Sequence, residues 1–413
     1  MYRRHVEPAL RAALADTRIV LLNGARQTGK STLAEELAKE QGGRYLTLDD
    51  GTLLGTARSD PTALLQGAAG LTVIDEVQKA PELLPALKRE VDRDKRPGRF
   101  LLTGSANIFL VPRVAESLAG RIEILALLPL SQDELAGRAA SLPDALFSGR
   151  PWRSRRSTLK RLEVGKRIVA GGYPEVLARE PGARRAAWFT SYVSSLLQRD
   201  VRDLANIDGL TEMPRLLGLL AARASTLMNM AELSRAVGIP HSTLKRYLTL
   251  LEATFILQPL PAWSANLGKR FVKASKIHLL DAGLTAHLRG ESEPAQLVAS
   301  PTVGPLLETF VLQELRKQLG WSRQAATPYH FRTAAGREVD IVLEAPGGKV
   351  VGIEVKAAAA LDASDFAGLQ ALAEAAGKKF VRGVVLYLGE HVVPRGDNLW
   401  ALPIDELWQP AAK

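Results

Sequence analysis

Apolar positions in the first third of the chain fall in short runs separated by stretches with helical spacing. The runs at 19–22, 45–48, 71–74, 100–102 and 122–127 read as strands, because a strand covered on both faces shows continuous rather than alternating apolar character. Strands alternating with helices predict a parallel sheet wrapped by helices, an α/β fold. Residues 131–161 turn rich in Ala, Gly, Ser, Pro and Arg, and the run from Arg150 through Trp152 to Arg156 reads as a linker or exposed basic loop. Helical periodicity dominates 162–295, as in Leu216, Leu217, Leu219 and Leu220. After Pro301, a helix over 306–319 leads into alternating strands, a helix over 366–376 and a strand at 381–388. The expected organisation is an α/β domain at 1–130, a basic linker at 131–161, a helical region at 162–295 and a second α/β domain at 296–413.

The loop after the first strand reads Gly24, Ala25, Arg26, Gln27, Thr28, Gly29, Lys30, Ser31, which fits GxxxxGK[ST] and stands between a strand and a helix. Glycines let backbone N–H groups turn toward a β-phosphate, Lys30 neutralises phosphate oxygens, and the Ser31 hydroxyl ligates Mg²⁺. Thr32 adds a phosphate contact at the helix start. The strand at 71–74 ends in Asp75 and Glu76. A carboxylate there holds Mg²⁺ and the next one orients or deprotonates the attacking water. Together they predict ATP binding and hydrolysis, with ATP, ADP and Mg²⁺ as ligands. Arg121 and Arg113 are candidates for a charge that reaches a triphosphate, including that of a neighbouring subunit in a homo-oligomer.

Further along, 230–237 predicts a short helix, Gly238-Ile239-Pro240 a turn, and 242–251 a second helix capped by Ser242. Ala231, Leu233, Ala236, Ile239, Leu244, Leu248 and Leu251 are the expected core. His241, Ser242, Thr243, Lys245 and Arg246 form the expected outer face. This is the pattern of a helix-turn-helix, with 255–260 as a wing. In the last domain, alternation places Val339, Ile341 and Leu343 on one face of a strand and Glu338 and Asp340 on the other. A hairpin centred on Gly347 sets Asp340 opposite Glu354 and Glu338 opposite Lys356. These acids would take Mg²⁺ or Mn²⁺, with Lys356 supporting an attacking hydroxide. An ion-paired surface hairpin is the plainer alternative.

Charge changes the picture only when it is divided. Residues 1–150 carry a net +1, 151–300 carry 22 basic against 12 acidic residues, and 301–413 carry a net −1. The surplus of the whole chain therefore sits in the middle third, which suits contact with a polyanion such as DNA and also a merely solvated surface. The absence of cysteine excludes disulfides and thiolate metal sites. No uninterrupted apolar run has the length of a membrane span, and the polar start carries no export signal, so a cytoplasmic location is expected.

The phosphate loop, Leu71 through Gln78, Leu101 through Asn107 and Ser117 through Arg121 resemble the prokaryotic AAA-type ATPases whose second half is the domain called DUF4143. The resemblance covers nearly the whole chain. It implies an ATPase core in which Ser105, or alternatively Thr103 or Asn107, senses the γ-phosphate. It also implies a winged helix and a C-terminal domain similar to restriction endonucleases. Asp340, Glu354 and Lys356 resemble the PD-(D/E)xK nuclease set, Glu308 its first acidic position and Gln370 its later helical one. The helical lid of AAA proteins, with its own arginine sensor, is not recognisable in the sequence.

Overall fold

A computed structural model describes residues 2–67, 70–105, 118–201 and 211–409. Asn107 and Arg113, both read as site candidates, lie outside the described residues.

The five predicted apolar runs form β1 (Ile19–Asn23), β2 (Arg44–Thr47), β3 (Thr72–Asp75), β4 (Phe100–Gly104) and β5 (Ile122–Ala126). They make one sheet in the order β2-β3-β4-β1-β5, all parallel. Alternate residues feed two cores. Ile19, Leu21, Ile74, Phe100 and Leu102 pack under helix α4 (Leu83–Arg93), while Val20, Leu22, Val73 and Leu101 pack under α1 (Glu7–Asp16) and α2 (Lys30–Glu40). Helix α3 (Gly51–Ser59), in the same layer, starts at Asp50, whose carboxylate accepts from the N–H groups of Thr52 and Leu53.

The stretch 131–161, read as a linker, is packed instead. Ser131 opens helix α5 (Gln132–Leu135) with a capping box closed by Glu134, and Leu142, Leu146 and Trp152 enter the core of the last domain. Arg155 of its basic run is tied to the last domain, meeting Asp405 at 2.9 Å and Glu406 at 2.8 Å. Arg156 meets Glu390 at 2.7 Å on the surface, while Arg150 and Arg153 are exposed as a basic loop would have them. Composition suggested solvent because the carboxylates that neutralise Arg155 and Arg156 lie more than 200 residues away in sequence.

Helices dominate the middle, among them α6 (Arg161–Ala170), α7 (Ala183–Ser195), α8 (Met213–Ala222), α9 (Met230–Val237) and α10 (His241–Ala253). Gly238 ends α9 in the left-handed region at φ 82°, the usual device for stopping a helix. Two expectations need correction here. The residue before α10 is Pro240, so Ser242 lies inside the first turn and makes no cap. Ala231 is exposed, and Tyr247 and Leu250 are buried in its stead. Segment 255–260 pairs through isolated antiparallel bridges, Leu257 with Leu279 and Leu260 with Lys276.

A second sheet follows, β6 (Thr327–Arg332), β7 (Glu338–Glu344), β8 (Val350–Lys356), β9 (Phe380–Tyr387), β10 (Val393–Arg395) and β11 (Leu399–Pro403), in the order β10-β11-β9-β8-β7-β6. Helix α11 (Ala282–Leu288) closes the middle region, α12 (Val303–Leu319) packs on one face of this sheet and α13 (Ala367–Ala376) on the other. The hairpin register is the expected one, Ile341 against Ile353 and Leu343 against Val351. The expected facing of Val339 is not. A bulge between β6 and β7 inserts one residue, so Val339 joins Val342 and Leu369 while Ile341 and Leu343 face α12. Among the described residues no helix is long and apolar enough to cross a membrane.

Glu134 joins the first domain to this frame. Its carboxylate accepts from Arg4 Nε at 3.0 Å, His5 N at 2.9 Å and Ser131 N at 2.9 Å, and Arg4 and Glu134 are both buried. Glu134→Ala should lower unfolding stability by about 3–5 kcal/mol, because it leaves a buried guanidinium without its charge partner. Denaturant unfolding would measure it, with Glu390→Ala at the exposed Arg156 pair as the control expected to leave the midpoint unchanged.

Candidate functional site

Parallel strands end at a common edge, and the loops leaving that edge carry the polar residues of the first domain. The loop from Gly24 to Gly29 needs unusual backbone. Gly24 has φ 147° and a Cβ there would lie 2.2 Å from the Leu127 carbonyl oxygen, and Gly29 has φ 95°. Gln27 also has positive φ, 62°. The loop closes on itself: Thr28 Oγ1 and Lys30 Nζ donate to the Ala25 carbonyl at 3.0 and 2.8 Å. From outside, buried Arg4 donates to Thr28 O and Leu128 O, each at 2.7 Å. Arg26 is half-buried, and Thr32 is exposed on the first turn of α2.

Asp75, buried at the end of β3, is the hub of this edge. Ser31 Oγ donates to its Oδ1 at 2.9 Å, Thr103 Oγ1 donates to the same oxygen, Tyr45 OH reaches Oδ2 at 2.9 Å and Thr47 Oγ1 reaches it at 3.4 Å. Burial, and next the Asp75 carboxylate, hold the Tyr45 phenol well above its usual pKa. Glu76 then turns sharply, with φ 59° and ψ 43°. A side chain pays roughly 1–2 kcal/mol to enter this left-handed region. The turn lets Glu76 N donate to Thr103 Oγ1 at 3.2 Å, while Ser105 Oγ and Gln78 Nε2 donate to Glu76 Oε2. Lys30, Ser31, Asp75, Glu76 and Ser105 are thus brought to one edge.

Arg121 is not part of it. Ile122, its neighbour, pairs with Ile19 at the start of β1, so Arg121 lies at the opposite edge, about 15 Å from the phosphate loop at 3.3 Å per residue. It is also held by Asp92 through Nε at 2.6 Å and Nη2 at 3.0 Å. A role at this chain's own triphosphate is therefore corrected on geometric grounds.

In the last domain the acids do converge, around a cation that the sequence reading missed. Lys276 Nζ lies 2.9 Å from Glu308, 2.6 Å from Glu338 and 3.0 Å from Asp340, and the side chain is buried. Burial works against its charge, but Asp340, Glu308 and Glu338 outweigh it and hold the ammonium above its usual pKa. Asp340 Oδ2 accepts from Val355 N at 3.0 Å. Lys356 sits 2.9 Å from Glu354 and 3.8 Å from Asp365, not across from Glu338 as expected. Burial, then repulsion from Asp340, pushes Glu308 well above the carboxylate range and Glu354 up to about 8. Lys276 and Lys356 are the cations that stand among these acids. Gln370 is exposed on α13 and takes no part.

The expectation of a divalent cation at Glu308, Asp340 and Glu354 is corrected for this reason: an ammonium already fills the centre of the acids. Among the described residues no group of three His, Cys, Asp or Glu is placed to hold a metal. The one sequence signal for Lys276 was a lysine and His278 interrupting an otherwise apolar run, 276–280. Burial, and after it the nearby cations, hold His278 well below its usual pKa, and its Nε2 lies 3.7 Å from Glu308.

Comparison with known proteins follows the same division of the chain. A family model described as an AAA domain matches residues 16–136, a domain of unknown function, DUF8612, matches 161–295, and another, DUF4143, matches 303–407. An uncharacterized protein of Mycobacterium tuberculosis, Rv2008c, is 32% identical over 407 residues, covering 98% of this chain and 84% of its own. The uncharacterized Mycobacterium bovis protein Mb2031c gives the same figures, 32% over 407 residues. Among solved structures, the Thermotoga maritima RuvB Holliday junction branch migration motor is 21% identical, over 61% of this chain and 88% of that one, at a TM-score of 0.30. Drosophila ORC bound to DNA is 12% identical over 69% and 85%, at a TM-score of 0.17. Those TM-scores are too low to carry an argument. With an AAA-type P-loop domain at its start and a relative matched along nearly its full length, this chain belongs to the family of the mycobacterial protein Rv2008c.

Proposed function

We propose that this chain is a Mg²⁺-dependent ATPase whose nucleotide state is coupled to DNA contact by its middle region. One observation carries the ATPase reading. Ser31, the first hydroxyl after the phosphate loop, is hydrogen-bonded at 2.9 Å to Asp75, and the next carboxylate, Glu76, turns back over the same sheet edge. Hydroxyl and carboxylate oxygens suit a hard divalent cation. Ser31 and Asp75 would hold Mg²⁺, which when bound draws charge from the β- and γ-phosphate oxygens. The N–H groups of 24–29, Lys30 and Thr32 take the remaining phosphate charge, with Lys30 exchanging the Ala25 carbonyl for phosphate oxygen. Glu76 accepts the proton of the water that attacks the γ-phosphorus. The bond to the β–γ bridging oxygen breaks, and ADP and phosphate result. Ser105, beside Glu76, is placed to sense the γ-phosphate.

For the middle region, the reading is a winged helix-turn-helix built on α9 and α10. His241, Ser242, Lys245, Arg246 and Thr249 are exposed along one side of α10. The charge argument needs trimming, since Arg155, Arg156, Arg270 and Lys276 spend their charge on acids of the last domain.

A second reading concerns the last domain. An endonuclease-like fold that no longer cleaves, and serves as a scaffold or interaction surface, is favoured by Lys276 standing among Glu308, Glu338 and Asp340.

Lys30→Ala should weaken binding of a fluorescent ATP analogue about a hundredfold or more, whereas Glu76→Gln should keep binding and cut phosphate release by about 10²-fold or more. Native turnover in Glu76→Gln would remove that residue from the chemistry. Replacing Lys245 and Arg246 together by Ala should weaken duplex DNA binding and flatten the slope of log K against log salt by about one to two; an unchanged slope would place the contact elsewhere. In the last domain, calorimetric titration with Mn²⁺ should give the same heats for native protein and Asp340→Ala, with no Mn²⁺-dependent cleavage of DNA or RNA. Binding that vanishes with Asp340 would show that the cation displaces Lys276 and would restore the nuclease reading.

A further inference from the structure

The turn after β3 contains a residue that the ATPase reading has not used. Gln78 lies two residues beyond Glu76, on the single turn Val77–Lys79. Its Nε2 donates both to Glu76 Oε2 and, at 3.0 Å, to Ser105 Oγ. Ser105 Oγ in turn lies 3.3 Å from Glu76 Oε2. The three side chains form a closed ring.

Proton accounting fixes the direction of every bond in that ring. A carboxylate accepts only, so the amide must turn its NH₂ toward Glu76, because the reverse orientation would set two acceptors against each other. The second amide hydrogen goes to Ser105, which leaves the serine hydroxyl free to donate to Glu76. Both donors thus converge on one carboxylate oxygen, Oε2. None of these bonds uses Glu76 Oε1. Gln78 Oε1, meanwhile, is shielded from solvent and has no hydrogen-bond partner in the structure. A buried acceptor left unpaired calls for an explanation, and this one lies on the side chain that holds Glu76.

We propose that Gln78 is a positioning residue for ATP hydrolysis, a role that rests on the ATPase reading above. It commits one oxygen of Glu76 to the protein and so aims the other at the attacking water. The left-handed backbone at Glu76 makes this brace necessary. With φ 59° the chain leaves β3 abruptly, and the side chain is held over the strand ends by Thr103 at its N–H and by Gln78 and Ser105 at its carboxylate. Without Gln78, Ser105 alone would grip the carboxylate, through a single bond.

The test compares native protein, Glu76→Gln, Gln78→Ala and Gln78→Glu, each full-length, by steady-state ATP hydrolysis across pH and by binding of a fluorescent ATP analogue. Gln78→Ala should lower kcat about tenfold or more while nucleotide affinity stays within about twofold, because a general base out of alignment loses much of its 10²–10⁴-fold contribution. Gln78→Glu sets a second carboxylate against the first, and two such groups cannot both ionise freely. Its acidic limb of kcat should therefore move up by about one pH unit or more, a change that loss of local packing would not produce. Should Gln78→Ala prove unstable in a thermal melt, the pH profile of Gln78→Glu decides alone. Native hydrolysis that is lost in Glu76→Gln but unaltered in rate and pH profile by both Gln78 substitutions would overturn the role of Gln78 and leave the ATPase reading intact. A native chain that binds but does not hydrolyse ATP would overturn both.

Discussion

The whole architecture turns on one buried helix. Residues Val303–Leu319 run for about 25 Å through the molecule at 1.5 Å per residue, and most of their side chains are buried, including Glu308, Thr309, Gln313, Glu314, Lys317 and Gln318. Polar groups taken out of water must be hydrogen-bonded or they cost several kcal/mol each. The partners of this helix come from the segment 130–142, from the middle region and from the last domain. Glu314 accepts from Gln132 N at 2.7 Å, Lys317 donates to Leu130 O at 3.0 Å, and Gln318 reaches Asp133 at 2.7 Å and accepts from Leu142 N at 2.9 Å. Gln313 donates to Leu279 O at 2.7 Å and Glu308 takes Lys276. Satisfying one helix therefore binds the AAA domain, the middle region and the last domain together.

That constraint also relates the two polar sites. Near its C-terminal end the helix holds the segment 130–133, and the adjoining Glu134 holds Arg4, which in turn grips Thr28 of the phosphate loop. Near its N-terminal end it presents Glu308 to Lys276. The connection is an unbroken series of buried polar contacts. It gives the nucleotide loop and the acid cluster a common rigid support.

The electrostatics of the two sites differ in kind. Around Asp75 the hydrogen-bond partners are neutral hydroxyls, those of Ser31, Tyr45, Thr47 and Thr103. Around Asp340 the neighbours are ionisable, with Lys276 at 3.0 Å, and burial followed by repulsion from Asp340 raises Glu308 and Glu354 above the carboxylate range. Acidic residues in both places look alike in a sequence. Their surroundings give them opposite behaviour.

Much was legible without coordinates. Continuous apolar runs marked all five strands of the first sheet. In β1, β3 and β4 the reason holds, since a strand buried on both faces has no polar side to break the run, whereas β2 and β5 are edge strands with partly exposed side chains. The phosphate loop, Asp75 and Glu76 were legible because their spacing is local, tied to a single strand-loop-helix unit and to the strand paired nearby. The hairpin register around Gly347 was legible for the same reason, since a short turn fixes which residues oppose each other. What tertiary structure decided were the contacts made at long range. Lys276 joins acids 32, 62 and 64 residues away, and Arg155 joins acids some 250 residues away. The facing of Val339 depended on a bulge made with a neighbouring strand. Sequence determines periodicity and local spacing; the partner that neutralises a charge is chosen only when the chain folds back on itself.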